Sequence, residues 1–318
     1  MGSYVIRRVL ALLPTLFFAS VIVFVTVRLI PGDIIDRMLS DRDVSADQLT
    51  REQLLAALGL DKPMWQQYFI WIGNILFHAD LGRSLWHSTP VSEMLADRLP
   101  VSFELGLMAL CFALTLALPI GVYSAIRQDT AGDYVTRSLS ILMLAVPAFW
   151  VATIVMVFPS IWWGWSPPVE YVRFSDDPVR NVKHLLLPAV VLGMALSAVT
   201  MRMTRTMMLE VLRQDYIRTA WAKGLDERLV VVRHALRNAL IPVVTLIGLQ
   251  LPLLIGGAVI IEQIFVIPGM GLLLLDAVYQ RDYPVITGLF FVIGVSVVTI
   301  NLLVDMSYGL LDPRVRHR

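Results

Sequence analysis

Six long apolar runs constrain the fold of this chain more than any other feature of its sequence. They cover about residues 9–30, 102–125, 138–162, 185–204, 239–261 and 285–308, and each supplies the roughly 20 mostly apolar residues that cross the hydrocarbon core of a bilayer. Inside a bilayer every backbone amide must find its partner locally, so these runs are predicted to be helices. Their continuous apolarity lacks the alternation of a membrane β-barrel. The predicted fold class is an all-α polytopic membrane protein with six transmembrane helices.

The composition agrees with this class. Hydrophobic residues make up 57% and charged residues 16% of the 318 residues, whereas soluble domains carry about 25% charged residues. The first apolar run follows Arg7 and Arg8 and is too long for the core of a signal peptide, so it is predicted to be a retained span. The prolines inside the runs are expected to kink or cap their helices; they are Pro14, Pro119, Pro147, Pro159, Pro188 and Pro252.

The distribution of Lys and Arg sets the orientation, because short cytoplasmic loops carry an excess of positive charge. With the N-terminus inside, the cytoplasmic segments hold fifteen Lys and Arg residues, eight of them within 202–238. The two short external loops hold only four, and the long loop 31–101 counts little in this rule. Both termini are therefore predicted to be cytoplasmic.

This topology divides the chain into a first span (1–30), an extracytoplasmic loop subdomain (31–101), a core of five spans (102–308) and a cytoplasmic tail (309–318). Within the loop, 45–59 is predicted to be an amphipathic helix with a possible capping box and a glycine stop. Aromatic residues at helical spacing follow it and suit the outer headgroup level; they are Trp65, Tyr68, Phe69, Trp71 and Phe77. Two roles stay open for this subdomain, a cap over the bundle or a docking platform for an extracytoplasmic partner.

The sequence offers no pattern typical of catalysis. It contains no Gly-x-x-x-x-Gly-Lys-Ser/Thr loop to hold nucleotide phosphates. The five histidines are scattered, none at metal-ligand spacing, and no Ser/His/Asp set stands out. We therefore expect no catalytic, cofactor-binding or metal-binding residues in this chain, and nothing indicates nucleic acid as a partner.

Polar residues within the spans are the usual markers of a transport pathway. The candidates are Arg28, Glu104, Gln250, Asn301 and Asp305. The alternative for each is an interhelical hydrogen bond or an anchor at the membrane interface, and the sequence leaves both open. No ladder of carboxylates runs through the spans, which argues against a proton-coupled carrier.

The cytoplasmic segment 214–238 lies between two spans and has an ordered pattern. Its first half places an apolar face at positions i, i+3, i+4 and i+7, formed by Ile217, Ala220, Trp221 and Gly224. Asp226 is predicted to cap a second helix, whose apolar stripe is formed by Leu229, Val232, Leu236 and Leu240. The segment could fit a groove in a partner protein or anchor to acidic lipid headgroups.

Separate motifs along the whole chain resemble one family, the permease subunits of ATP-binding-cassette importers of the dipeptide/oligopeptide/nickel type. The likeness runs in order from one end to the other. It is carried by RLIPGD at 28–33, LGLDKP at 58–63, DLGRS at 80–84, PV at 90–91, RLP at 98–100, DYIRTAWAKG at 215–224, RHALRNALIP at 233–242, Glu262, Phe265, PGMG at 268–271 and LDPR at 311–314.

The resemblance implies a type I importer permease fold in which 205–238 is an EAA-like loop whose coupling helix docks into a cleft of a cytoplasmic ATPase. The general EAA pattern begins with Glu-Ala-Ala, and here Arg218, Thr219 and Ala220 stand in its place, so the role of Arg218 stays open. Ala220 and Gly224 match the pattern. The implied coupling residues are Ile217, Arg218, Ala220, Trp221, Lys223, Gly224 and Asp226.

The resemblance also implies function and partners. The chain is expected to form half of the pathway for a small solute, with di- and oligopeptides as the first expectation and glutathione, nickel chelates and opines still open. The implied partners are a second homologous permease, two ATPase subunits that hold ATP and Mg²⁺, an extracytoplasmic binding protein and the lipids of a bacterial inner membrane. The competing interpretation is an ion-gradient-driven transporter or membrane scaffold with a lipid-binding basic loop.

Overall fold

The computed structural model describes residues 2–29, 61–168, 170–255 and 259–311, and over these residues the chain is almost entirely helical. Arg83 and Pro90 form an isolated antiparallel β-bridge. The prediction of an all-α fold is confirmed; the helix predicted at 45–59 lies outside the described residues. The helices are α1 (Gly2–Arg28), α2 (Met64–His78), α3 (Val91–Ile126), α4 (Ala131–Ala145), α5 (Ala148–Trp163), α6 (Pro178–Leu212), α7 (Asp215–Ala222), α8 (Glu227–Leu229), a π-helix (Val230–Leu236), α9 (Arg237–Ile255), α10 (Val259–Ile264), α11 (Met270–Gln280) and α12 (Tyr283–Leu311).

Five helical segments of the described chain are long and apolar enough to cross a membrane: α1, α3, α6, Glu227–Leu251 and α12. A sixth span results if α4 and α5 count as one, although these two helices are bent by 89°. The bend falls at Val146, whose backbone is extended, followed by Pro147 as the N-cap of α5. Proline disfavours the helical conformation of the residue before it. The kink or cap expected at Pro147 is confirmed, and the run predicted over 138–162 consists of two helices, α4 and α5.

Helix α3 begins at Val91, well before the predicted start at 102. Val91 is fully buried, and Glu93 lies in the first turn, where a carboxylate suits the positive end of the helix dipole. The helix continues through Pro100 without interruption. Residues 91–101, predicted to end the external loop, therefore form the first turns of the helix that contains the second span.

The chain divides into two compact units. The smaller unit comprises Arg7–Arg98 and Leu273–Val298. Within it, α2 packs on α1 through Tyr68, whose hydroxyl lies 2.9 Å from the Ser20 hydroxyl, and through the rings of Phe24 and Trp71 at 5.5 Å. Phe69 and Phe77 are exposed, although the ring of Phe69 lies edge-on against Tyr68 at 5.5 Å. The helical spacing predicted for the aromatic residues is confirmed.

A second contact in the smaller unit holds the loop before α3. Asp282, which is 2% exposed, accepts a hydrogen bond of 2.5 Å from the Ser84 hydroxyl and one of 3.2 Å from the backbone amide of Leu85. The indole of Trp86 donates to the carbonyl of Gln280 at 2.8 Å. These bonds tie the loop to the residues that precede α12.

The larger unit comprises Leu99–Leu272 with the two chain ends Met1–Ile6 and Thr299–Arg318. Its core joins α3, α5, α6 and α10 through buried side chains that include Leu105, Ala152, Leu185 and Ile261. Gly193 on α6 lies so close to α3 that a Cβ there would meet the carbonyl oxygen of Ala109 at 2.7 Å. Such close backbone approach at small residues is typical of helix packing in membranes.

Candidate functional site

Helix α7 lies on the cytoplasmic side of the predicted topology, directly after α6. It is only eight residues long, and Asp215 in its first turn complements the helix dipole. Arg218 Nη1 lies 3.4 Å from Asp215 Oδ1, but their side chains are 72% and 96% exposed. Exposed ion pairs contribute about 0–1 kcal/mol, so neighbouring structure must hold α7 in place.

The inner face of α7 supplies that support. Ile217 is 0% and Ala220 is 7% exposed. Both belong to an apolar core beneath α7, here called the α7 core, which also contains Ala125 on α3, Met208 on α6, the π-helix residues Val230, Val231 and Ala235, and Ala239 on α9. Two of the predicted coupling residues therefore bind α7 to its own chain and face away from solvent.

The outer face of α7 is the part that a partner could touch. Trp221 is 46% exposed and Tyr216 is 45% exposed; Lys223 and Gly224 are exposed as well. The predicted apolar face is thus divided, with Ile217 and Ala220 turned inward and Trp221 turned outward.

Gly224 ends α7 in a Schellman motif. Its amide donates to the Trp221 carbonyl at 2.9 Å, and the amide of Leu225 donates to the Ala220 carbonyl at 3.4 Å. The φ angle of Gly224 is +77°, a region that residues with a Cβ rarely adopt. Apart from its chain neighbours, no atom of the described residues lies within 4 Å of the position that a Cβ would occupy. Glycine is required here by the backbone conformation, and the space beside it is open.

Asp226 occupies the predicted N-cap position of α8, but its side chain makes no capping hydrogen bond. The predicted apolar stripe after it is wrong. Leu229 and Val232 are 38% and 54% exposed, while Val230, Val231, Ala235 and Ala239 are buried. The cause is the π-helix Val230–Leu236, because its i→i+5 hydrogen bonds shift which positions share a face. The 3.6-residue period used in the prediction does not apply to this stretch.

A hydrogen bond also joins α7 to the start of α9. Asn238 Nδ2 donates to the Tyr216 hydroxyl at 2.9 Å and to the His234 carbonyl at 3.0 Å. The beginning of α7 is therefore linked through Asn238 to the beginning of α9 and to the π-helix.

The pathway candidates have separate local partners. In the smaller unit, Arg28 Nε donates to Gln67 Oε1 at 3.1 Å, and its guanidinium lies 4.8 Å from the centre of the Phe24 ring. In the larger unit, Gln250 Nε2 donates to the Leu246 carbonyl at 3.4 Å. Asn301 is exposed, and the side chain of Asp305 lies outside the described part of the structure.

Glu104 has the richest surroundings of these candidates. Its Oε2 accepts a hydrogen bond from Asn181 Nδ2 at 3.2 Å and lies 3.5 Å from the Tyr171 hydroxyl. Burial raises the pKa of Tyr171 above its usual value, and the nearby Glu104 carboxylate raises it further. Asn181 Oδ1 is buried and has no hydrogen-bond partner among the residues that the structure describes. Glu104 thus holds the loop before α6 against α3, which favours the structural alternative for this residue.

For two buried acids of the larger unit no structural role was predicted from the sequence, although Glu262 is one of the residues that carry the family resemblance. Asp133 on α4 is fully buried and pairs with Arg205 on α6 through two hydrogen bonds. Glu262 on α10 is also fully buried and accepts hydrogen bonds from the Ser102 hydroxyl and the Leu272 amide. The one available signal was that these acids stand within or beside apolar runs, where an acid needs a partner.

Comparison with known proteins gives consistent results over the whole chain. The family described as binding-protein-dependent transport system inner membrane component matches residues 117–317, and the N-terminal part of the same class of membrane components matches residues 1–106. The chain is 39% identical to the dipeptide transport system permease protein DppB of Escherichia coli K12 over 341 aligned residues. It is 42% identical to the oligopeptide transport system permease protein AppB of Bacillus subtilis over 320. In both comparisons the alignment covers 100% of this chain and 100% of the relative.

A solved structure shares the fold. A chain of the MetNI methionine ABC transporter, in inward-facing conformations, aligns with a TM-score of 0.56 and 17% sequence identity. The alignment covers 69% of this chain and 96% of that one. At this identity the likeness concerns the fold alone.

Proposed function

Because the chain belongs to the family of binding-protein-dependent transport system inner membrane components, we propose that it forms half of the pathway through which an ATP-binding-cassette importer takes up di- and oligopeptides. It is a multi-pass protein of the inner membrane. The single observation that carries the substrate class is its end-to-end similarity, at 39% and 42% identity, to permeases named for dipeptide and oligopeptide transport.

The proposed assembly contains four kinds of subunit. A second, homologous permease completes the pathway, two ATPase subunits bind on the cytoplasmic side and hold ATP with Mg²⁺, and an extracytoplasmic binding protein delivers the peptide. This chain contributes no residue to ATP hydrolysis. Its contribution is a pathway that opens to one side of the membrane at a time and a surface through which the ATPase drives that change.

The two faces of α7 support its assignment as the coupling helix. Ile217 and Ala220 fasten it to the ends of α3, α6 and α9 through the α7 core, while Trp221, Lys223 and Gly224 face outward. A force applied to the outer face therefore acts on the spans. The open space beside Gly224 admits close approach by a partner, whereas Arg218 and Asp215 form only an exposed ion pair.

Alternating access follows from differential affinity. ATP binding closes the ATPase dimer, which draws the two coupling helices together and favours the outward-facing state; hydrolysis and release restore the inward-facing state. ATP shifts this equilibrium only by as much as its affinity differs between the two states. The basic outer surface adds little, since exposed ion pairs contribute about 0–1 kcal/mol each. The outward aromatic face and Gly224 are therefore the central contacts.

Affinity purification of the tagged chain from its native membrane in mild detergent tests the assembly. We expect two further kinds of protein in comparable amounts, an ATPase and a second permease, and we expect peptides to bind the accompanying external protein. Isolation of the chain alone, or of a homo-oligomer that transports without ATP, would contradict the proposal.

A further inference from the structure

An ion pair connects three helices of the larger unit close to α7. Arg205 Nε donates to Asp133 Oδ1 at 2.8 Å, and Arg205 Nη2 donates to Asp133 Oδ2 at 2.7 Å. This parallel arrangement is the geometry that a guanidinium forms best with a carboxylate. Asp133 has no exposed side-chain surface, and 19% of the Arg205 side chain is exposed. The pair is therefore a buried contact between α4 and α6.

Neighbouring groups complete the hydrogen bonding of the pair. The Ser124 hydroxyl on α3 donates to Asp133, and Arg205 Nε also lies 3.1 Å from that hydroxyl oxygen. The backbone amide of Asp129, in the turn between α3 and α4, donates to Asp133 Oδ2 at 3.1 Å. One carboxylate thus accepts hydrogen bonds from α3, from α6 and from the turn before its own helix.

The ion pair lies directly beside the α7 core. Ser124 precedes Ala125, a member of that core, and Arg205 stands three residues before Met208, another member, on the same face of α6. Helix α4 contributes none of the residues assigned to the α7 core or packed against it in the described chain. The connection of α7 to α3 and α6 is therefore apolar. Helix α4 packs along α6 and lies against Tyr123 of α3 at Gly132, and the ion pair is the charged contact between α4 and α6 beside the α7 core.

Close backbone packing makes α3 and α6 a stiff pair at the same level. A Cβ on Gly121 would lie 2.8 Å from the Met201 carbonyl oxygen and 2.8 Å from Thr204 Cβ. Packed helices of this kind transmit displacement with little compression. A displacement of α7 thus moves α3 and α6 through the α7 core. The ion pair between Asp133 and Arg205 then passes the movement of α6 to α4.

We propose that Asp133 and Arg205 are positioning residues that make α4 move together with the coupling helix α7 when the ATPase dimer closes. This inference rests on the proposed function, because it requires an ATPase bound at α7. Since α4 leads into α5 at the 89° bend, loss of the ion pair would weaken the coupling of this part of the chain to the movement of α7, α3 and α6, although α4 still packs on α6. ATP would then be hydrolysed with less transport.

The distance between α4 and α7 tests the proposal without knowledge of the substrate. Replacing the single cysteine, Cys111, by serine gives a background into which Val135→Cys on α4 and Ala222→Cys on α7 are introduced; both positions are exposed. Spin labels at these cysteines report the distance by pulsed electron resonance in the purified complex, nucleotide-free and after trapping with ATP and vanadate. With the ion pair intact, we expect the distance to stay constant within about 2 Å, the size of a helix shift at an interface.

Asp133→Asn removes the charge of the carboxylate and weakens its attachment to Arg205. We expect the distance in this variant to change by more than about 2 Å on trapping, while vanadate trapping itself proceeds as before. Arg205→Lys keeps the charge but loses the paired geometry, so a smaller change of the same kind is expected. The matched control is Arg180→Gln, which removes an exposed ion pair with Asp177 elsewhere on α6 and should leave the distance constant.

The outcomes separate the two claims. A constant distance in both Asp133→Asn and Arg205→Lys, or a distance that already changes with the ion pair intact, would overturn the inference and leave the proposed function standing. If Asp133→Asn fails to assemble, Arg205→Lys carries the test. A purified complex without any ATPase would contradict the proposed function together with the inference that rests on it.

Discussion

The hydroxyl of Ser102 donates a 2.8 Å hydrogen bond to the carboxylate of Glu262, which lies 160 positions later in the chain. The same hydroxyl oxygen accepts a hydrogen bond from the backbone amide of Met270, also at 2.8 Å. Glu262 accepts a further one from the amide of Leu272 at 2.9 Å. A single buried acid therefore fixes the connection between α10 and α11 against α3 at Ser102.

Replacing this acid should destabilise the chain. In Glu262→Gln one carboxylate oxygen becomes an amide nitrogen, so a buried donor loses its acceptor, at a cost of about 1–3 kcal/mol. We expect a lower midpoint of thermal unfolding in detergent. Glu210→Gln, on the exposed surface of α6, is the control and should leave the midpoint unchanged. Equal midpoints for the two variants would show that the Glu262 contacts contribute nothing to stability.

The two faces of α7 should respond differently to truncation. Ile217→Ala opens a cavity in the α7 core and should reduce stability by about 2–5 kcal/mol. Trp221→Ala removes an exposed side chain, so the free energy of unfolding should stay within about 0.5 kcal/mol of that of the unchanged chain. The purified complex of this variant should, however, retain less ATPase. Quantifying the bound ATPase alongside the unfolding midpoint checks both statements. Full retention of ATPase by Trp221→Ala would remove this residue from the coupling surface.

Gly224→Leu should uncouple transport from hydrolysis. The new side chain enters the open space where a partner is proposed to approach, and the left-handed backbone costs an L-residue about 1–2 kcal/mol. Uptake per ATP hydrolysed should fall, with the protein still inserted in the membrane.

Gly164→Leu provides the matched control for this variant. Gly164 follows α5 with a φ of +63°, and within the described part of the chain nothing beyond its sequence neighbours lies within 4 Å of its Cβ position. It therefore experiences the same backbone strain at a place that is predicted to be extracytoplasmic. If both variants lower the ratio of uptake to hydrolysis equally, backbone strain accounts for the effect and the coupling role of Gly224 is wrong.

For Asp282, the buried acid of the smaller unit, the prediction concerns local structure and stability. In Asp282→Ala the Ser84 hydroxyl and the Leu85 amide lose their acceptor, which should cost about 1–3 kcal/mol and release the loop before α3. Limited proteolysis of the extracytoplasmic side should then cut within 80–90. Asp276→Ala, at an exposed position of α11, should be as resistant as the unchanged protein; equal cutting of the two variants would contradict the account of this loop.

Most of the fold could be predicted because a bilayer imposes a strong and local requirement on each span. The apolar runs therefore located the spans, and Pro147 marked the position of the break. The 89° angle between α4 and α5 was not predictable, since it depends on how α5 packs against α6 and α10.

The candidate site was only partly predictable for two physical reasons. The face of 229–240 was assigned with the period of an α-helix, and the π-helix Val230–Leu236 changes that period. Asp133, Glu262 and Asp282 each have one side-chain partner from a distant part of the chain. Nothing local in the sequence identifies these distant partners, which are Arg205, Ser102 and Ser84. The pattern at Ile217 and Ala220 correctly marked an apolar face, but a pattern cannot show whether such a face meets a partner or its own chain.

Peptide uptake into proteoliposomes tests the central claim most directly. The complex is reconstituted with its external binding protein, and uptake of a labelled dipeptide is followed with ATP on the ATPase side. The controls are ATP with Gly224→Leu, and an imposed proton or sodium gradient without ATP. The account predicts uptake that requires ATP, persists when ionophores collapse the gradients and is lost in the variant. Uptake driven by a gradient in the absence of ATP would contradict it.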